Sequence, residues 1–217
     1  MKKIVALLGD YYHHKDAIQE GLETALSPIE TELDVQIIVT EELISRLKEQ
    51  PDLFILNKEN RLNPEDGVIN TWMNEEIENA IVDYVKTGGS ILAWHAGMAL
   101  YPTDGNYTQM LKGYFKYHSP GMQAITYHNK DTSFTIEDEH YMVHCQKEQT
   151  NVFLTSTSTE GESIAGWQHN FENGKVCCLT PAHTKEGILD THVQKMLLKK
   201  ILWCLSPVGF CRNTTLE

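Results

Sequence analysis

Five places along the chain carry side chains that could do chemistry, and four of them hold histidine. They are Asp10 to His14 in "GDYYHHKD", Asn57 at the end of "DLFILN", His95 in "AWHAGM", Trp167 to His169 in "GWQH", and His183 just after "KVCCLTP". Imidazole exchanges its proton near neutral pH, and its neutral form is a common ligand for divalent metals. Three imidazoles facing one crevice would suit proton transfer or a cation such as zinc. The plainer reading is that 10 histidines among 217 residues are scattered, some of them capping helices. For any one histidine that reading is the stronger. For His95 and His183 together it is the weaker, because both follow apolar runs and sit beside small residues that leave an opening.

The stretch "ILAWHAGMAL" reads as a buried strand running into a sharp, glycine-containing turn. Many α/β enzymes hold a nucleophile at that point, yet here the residue is His95. A second acidic and histidine-rich stretch is "EDEHYMVH". Its surroundings read as strand, where residues four apart share a face but lie ~13 Å from each other. His140 and His144 therefore do not hold one metal together. Glu139, in the trio Glu137 to Glu139, could orient an imidazole or act as a base, although a solvated acidic turn is the plainer reading of that trio.

The elements that must position these groups alternate. "KIVALL" is a continuous apolar run suited to a parallel strand covered on both faces, and a helix follows over Asp16 to Ala25. "DVQIIV", a short helix in "EELISRLKEQ" capped by Thr40, and the strand "DLFILN" come next. A polar loop leads to the helix in "NEEIENAIVDYVKTGG" and then to the strand "SILAWHAG". Strand and helix in alternation mean a parallel sheet with right-handed crossovers, and so a three-layer, doubly wound α/β fold. After residue 120 short strands follow one another with few helix signals, which predicts antiparallel additions to the sheet. An amphipathic helix, "THVQKMLLKKILWCLS", comes last. In folds of this class ligands bind at the carboxyl ends of the strands, and the five places above fall there.

Composition narrows the function. A formal charge of −12 argues against nucleic acid and anionic membrane surfaces as partners. No segment approaches the eighteen or more apolar residues of a membrane span, and "MKKIVALLGD" lacks the cleavage site of a signal peptide. Five cysteines with no CxxC pair fit reduced thiols in a cytoplasm, and adjacent Cys177 and Cys178 should face opposite sides of a strand. The chain is expected to be one domain over 1–206 with a tail over 207–217, whose closing Leu-Glu has the composition of a tag remnant.

The segments "GDYYHHKDAIQEGL", "VKTGGSILAWHAGMAL", "MLKGYFKYHSPG", "EDEHYM" and "IAGWQHNFENGKVCCLTPAHTKEG" resemble the trehalose-utilisation, ThuA-like, branch of the class I glutamine amidotransferase-like superfamily. The resemblance implies a flavodoxin-like core and a link to carbohydrate metabolism. It also implies a polar pocket formed by a histidine of the first loop, His95, Glu139, Trp167 and His183, with His118 of "YHSPG" matching a further family histidine. Of the first-loop pair, register against the following helix favours His13 over His14. The superfamily's nucleophile elbow reads Gly-x-Cys-x-Gly, and His95 stands in the cysteine position. Cysteine-dependent glutamine hydrolysis is therefore not expected.

The leading expectation is a cytoplasmic enzyme acting on a disaccharide or keto-sugar by hydrolase or isomerase chemistry. His95, His183 and Glu139 would be its catalytic groups, and Asp10, His13, His118 and Trp167 would hold the sugar. His95 and His183 are candidate ligands for a divalent metal such as zinc. The aromatic residues Trp94, Tyr101, Tyr114 and Trp167 could face a sugar ring, although plain packing is the stronger reading for at least half of them. A non-catalytic module binding a sugar or a protein in the same crevice is the alternative. A hydrolase using Ser90 or Ser119 ranks third, since neither sits on an elbow. A homo-oligomer, with the Trp72 region as its contact, is a further expectation.

Overall fold

A computed structural model describes residues 1–207. The first half alternates as its apolar spacing predicts: β1 (Lys2–Leu8), α1 (Lys15–Leu26), β2 (Leu33–Ile38), α2 (Leu43–Lys48), β3 (Leu53–Asn57), α3 (Glu75–Lys86) and β4 (Ser90–Trp94). A short helix α4 (Asn106–Leu111) and seven strands follow: β5 (Gly113–Tyr117), β6 (Gln123–His128), β7 (Ser133–Asp138), β8 (Met142–Cys145), β9 (Asn151–Ser158), β10 (Gly161–Phe171) and β11 (Gly174–Leu179). The last two helices are α5 (Lys185–Ile188) and α6 (Thr191–Leu205). Apart from Pro207, the expected tail lies outside the described residues.

Nine strands form one sheet in the order β2-β1-β3-β4-β11-β10-β9-β6-β7. The pairings among β2, β1, β3, β4 and β11 are parallel, and those from β11 through β10, β9 and β6 to β7 are antiparallel. β5 and β8 make a separate antiparallel ribbon. Along β1, Ile4, Ala6 and Leu8 pack with α1 and α6, whereas Val5 and Leu7 pack with α2 and α3. That alternation buries both faces of the sheet and makes three layers. Cys177 and Cys178 divide between the two faces as adjacent strand residues must.

Two local readings change. Thr40 opens a 3-10 turn rather than capping α2 with its side chain; the Glu42 carboxylate instead accepts the Val39 N–H at 3.2 Å. The strand expected over "SILAWHAG" ends at Trp94, and His95–Met98 form a tight 3-10 turn. His95 has φ of +45°, a left-handed conformation that costs a residue with a Cβ about 1 kcal/mol or more. A Cβ on Gly97 would lie 2.1 Å from the Leu56 carbonyl oxygen, so glycine is what allows the turn to press onto β3. Together these place the imidazole at the tip of a central strand.

The antiparallel half brings one unusual core group. Lys200 of α6 is 7% exposed, gives one hydrogen bond to Gln168 Oε1 at 2.9 Å, and stands 3.2 Å from the centre of the Phe153 ring. Burial pushes its ammonium down to about 8. Below that pH both folded and unfolded chains carry the charge. From about 8 to 10.5 the folded chain binds fewer protons, so stability rises with pH across that window. The Lys200→Met variant should be more stable at pH 7 by about 1 to 2 kcal/mol, after loss of the cation–π attraction. Urea unfolding of both proteins at pH 7 and pH 10 checks this, and the gap between them should shrink at the higher pH.

Candidate metal centre

The chain passes β1, then β2 on one side of it and β3 on the other, so a crevice opens at the carboxyl ends of β1 and β3. The loop after β1 fills it with an Asp-centred turn. Asp10 Oδ1 accepts the backbone N–H groups of Tyr12 and His13, each at 3.0 Å, and the His13 Nδ1–H at 2.6 Å. Its Oδ2 accepts the Glu59 N–H at 2.8 Å. Burial pushes the Asp10 carboxyl up, but the His13 imidazole and these N–H groups outweigh it and hold the group below its usual range. Asp10 thus fixes the His13 ring with Nε2 turned away from the turn.

His95 is fully buried, and its Nδ1 donates to the Thr180 carbonyl at 2.6 Å. Tyr141 stacks on the ring at 4.1 Å between centres, with 25° between planes. Burial, followed by the neighbouring imidazoles of His13 and His183, drives the His95 pKa well below its ordinary value. The ring is therefore neutral, with Nε2 carrying a lone pair. His183 follows β11, and its backbone N–H is held by Asp138 Oδ1 at 2.8 Å. Asp138 also accepts the Tyr127 hydroxyl at 3.0 Å, and burial pushes its carboxyl up to about 6.

Glu139 comes from the connection between β7 and β8. Its Oε2 lies 3.2 Å from His183 Nδ1, 3.6 Å from His118 Nε2 and 3.9 Å from His95 Nε2. Burial alone would lower the His183 pKa, but Glu139 outweighs it and raises the value. The same imidazoles, His183 first, overcome the burial of Glu139 and keep it ionised. One donor atom from each of His13, His95, Glu139 and His183 falls within 4.8 Å of every other. His13 Nε2, His95 Nε2 and His183 Nδ1 are buried and have no hydrogen-bond partner. Buried polar atoms are nearly always partnered, so three that converge on a carboxylate fit the donor set of a divalent cation.

The expected site residues divide clearly. His13, His95, His183 and Glu139 come together, with Asp10 behind His13 and His118 on the outer side of Glu139. His14 is exposed at the start of α1, which leaves the first-loop place to His13. Trp167 corrects the expectation that it holds substrate. It is fully buried on the α3 face of the sheet, and its indole N–H donates to the Leu111 carbonyl at 2.8 Å. His169 similarly bonds the Met110 carbonyl. Trp94 and Tyr101 are buried too, and Tyr114 packs beside His144 on the ribbon. His140 has both ring nitrogens on the hydroxyls of Ser158 and Ser156. The acidic trio is not a solvated turn, since Asp138 is fully buried. Ser90 begins β4, at the far end from His95, and bonds the Cys204 carbonyl.

Sequence reading passed over Tyr141, Asp138 as a positioning group, and Glu59. Glu59 is 5% exposed, and its carboxyl is pushed up to about 7 by burial and by Asp10. An extended spacing of two from Glu139 was a usable signal for Tyr141. Removing the carboxylate in Asp10→Ala leaves the Glu59 and His13 N–H groups buried without acceptors. It should cost about 3 kcal/mol in urea unfolding; a loss under ~1 kcal/mol would show that the turn stands without it.

Comparison with known proteins agrees with this architecture. The family model described as trehalose utilisation, ThuA, matches residues 5–204. A ThuA-like protein from Parabacteroides merdae superposes with a TM-score of 0.74 at 13% identity, over 94% of this chain and 90% of that one. A cytoplasmic protein from Salmonella typhimurium gives a TM-score of 0.63 at 11% identity, over 94% and 98% of the two chains. The β-galactosidase of Rahnella sp. R3 gives 0.63 at 12% identity, over 94% of this chain but 31% of that one. At such identities these likenesses speak for the fold. No curated protein matches the sequence. The family match spans nearly the whole chain, which belongs to the ThuA, trehalose-utilisation family.

Proposed function

We propose that this protein is a metal-dependent enzyme of sugar metabolism, working in the cytoplasm on a disaccharide or keto-sugar by hydrolase or isomerase chemistry. The observation that carries the reading is the convergence of three unpartnered imidazole nitrogens on one ionised carboxylate. His13, His95, His183 and Glu139 would hold the ion, which supplies Lewis acidity to a carbonyl or to water. The family's name supports a sugar as substrate.

The protein's own residues divide the remaining work. Asp10 and the Thr180 carbonyl each hold an Nδ1, of His13 and of His95, so neither ring needs to turn to bind a cation. His95, buried and neutral, is suited to ligation rather than to proton transfer. Glu139 and His118 are the groups placed to move a proton. The carboxylate side chain is 13% exposed, and the imidazole beside it, at 32%, offers a path to solvent.

Elemental analysis of untagged protein should find close to one zinc or similar divalent ion per chain. The double variant His95→Ala, His183→Ala should lose it, with zinc affinity falling at least a hundredfold in calorimetry. Protein without metal that also fails to take up added zinc would overturn the reading.

A further inference from the structure

Nine tyrosines occur in the chain, and all lie among the described residues. Tyr84, Tyr101, Tyr107, Tyr127 and Tyr141 are buried, and Tyr114 is half-buried. The remaining three are half in water: Tyr11 at 53%, Tyr12 at 50% and Tyr117 at 50%. No tryptophan or phenylalanine of the described residues is exposed to that degree. Tyr11 and Tyr12 immediately precede His13, and Tyr117 immediately precedes His118. Among the described residues, each exposed tyrosine thus sits within two residues of His13, in the centre, or of His118, which flanks Glu139, and neighbouring Cα atoms are ~3.8 Å apart. The two groups arrive on different elements, one on the loop after β1 and the other at the end of β5.

These rings are held rather than loose. Asp10 accepts the Tyr12 N–H, the Tyr11 hydroxyl donates to the Glu65 carboxylate, and the two rings meet edge to face at 5.0 Å and 85°. Lys116 Nζ stands 6.0 Å from the centre of the Tyr117 ring, at the outer limit of a cation–π contact. Leaving large aromatic faces in water forgoes their burial free energy, and such rings are frequent where a ligand covers them. A pyranose offers a matching surface, with an apolar C–H face for a ring and hydroxyls for a phenol and for polar groups beneath.

We propose that Tyr11, Tyr12 and Tyr117 form an aromatic rim that takes a pyranose ring above the His/Glu centre. The inference rests on the sugar reading above but not on the metal. Its test is NMR of the full chain with ring-labelled tyrosine, titrated with trehalose and with methyl α-glucoside, alongside zinc calorimetry. The resonances of Tyr11, Tyr12 and Tyr117 should move with at least one sugar while the six others stay in place. Tyr11→Ala with Tyr12→Ala, and Tyr117→Ala separately, should each weaken sugar binding about tenfold. The corresponding phenylalanine variants should retain most of it, and melting temperature and zinc affinity should not change in any of them. Rings silent to both sugars, or sugar binding untouched by the alanine variants, would overturn the rim. Ring shifts in a protein that takes no zinc would remove the metal reading and leave the rim standing.

Discussion

Three imidazole nitrogens share a volume with one carboxylate, and all three are shut away from water. Left alone, such nitrogens would turn toward solvent or take up protons, because an unpaired buried acceptor costs about 1–3 kcal/mol. His13 and His95 stay because each is tied through its other ring nitrogen, and His183 is tied at its backbone. A buried aspartate holds His13, a backbone carbonyl holds His95, and Asp138 holds the His183 main chain. Tyr141 closes the flat side of His95. The orientations of the His13 and His95 rings are thus properties of the protein, in place before any ligand arrives.

Meeting that constraint requires both halves of the fold. β1, β4 and β11 run parallel within four neighbouring positions of one sheet, so the residues that follow them emerge at the same edge. The loops after parallel strands supply the three histidines and Asp10 behind His13, but not the carboxylate that completes the donor set. Glu139 comes from the antiparallel region, where the connection from β7 to β8 folds back toward the parallel edge. The His95 turn ties the halves together. It carries backbone strain at φ +45° and needs Gly97 against β3, and it delivers an imidazole at the end of a central strand.

Much of this was legible in the residues. Apolar runs ending at Gly9, Asn57 and Trp94 reveal central parallel strands, and ligand sites lie beyond the ends of such strands. That reasoning reached the first loop, His95 and His183 without help from the structure, and left His13 and His14 to be told apart by the family's register. It failed at Trp167 because β10 is antiparallel and eleven residues long, so its middle lies far from any strand end. Asp138 was obscured by its neighbours. Three acidic residues in a row look solvated, and only the alternation of β7 shows that the middle one turns inward. Glu59 lies in a polar stretch whose burial depends on Trp72 and Tyr101 bonding the carbonyls of residues 58 and 59, contacts that local sequence does not encode.

The central claim is that Asp10 and the Thr180 carbonyl hold His13 and His95 through Nδ1, which leaves both Nε2 atoms turned into the space shared with Glu139 and His183. Nitrogen-15 NMR of the imidazole rings in metal-stripped protein tests it most directly. The account predicts that both rings keep a proton on Nδ1, and that one equivalent of zinc moves the Nε2 resonances while leaving those protons in place. Rings without a proton on Nδ1, or Nε2 resonances indifferent to zinc, would contradict it.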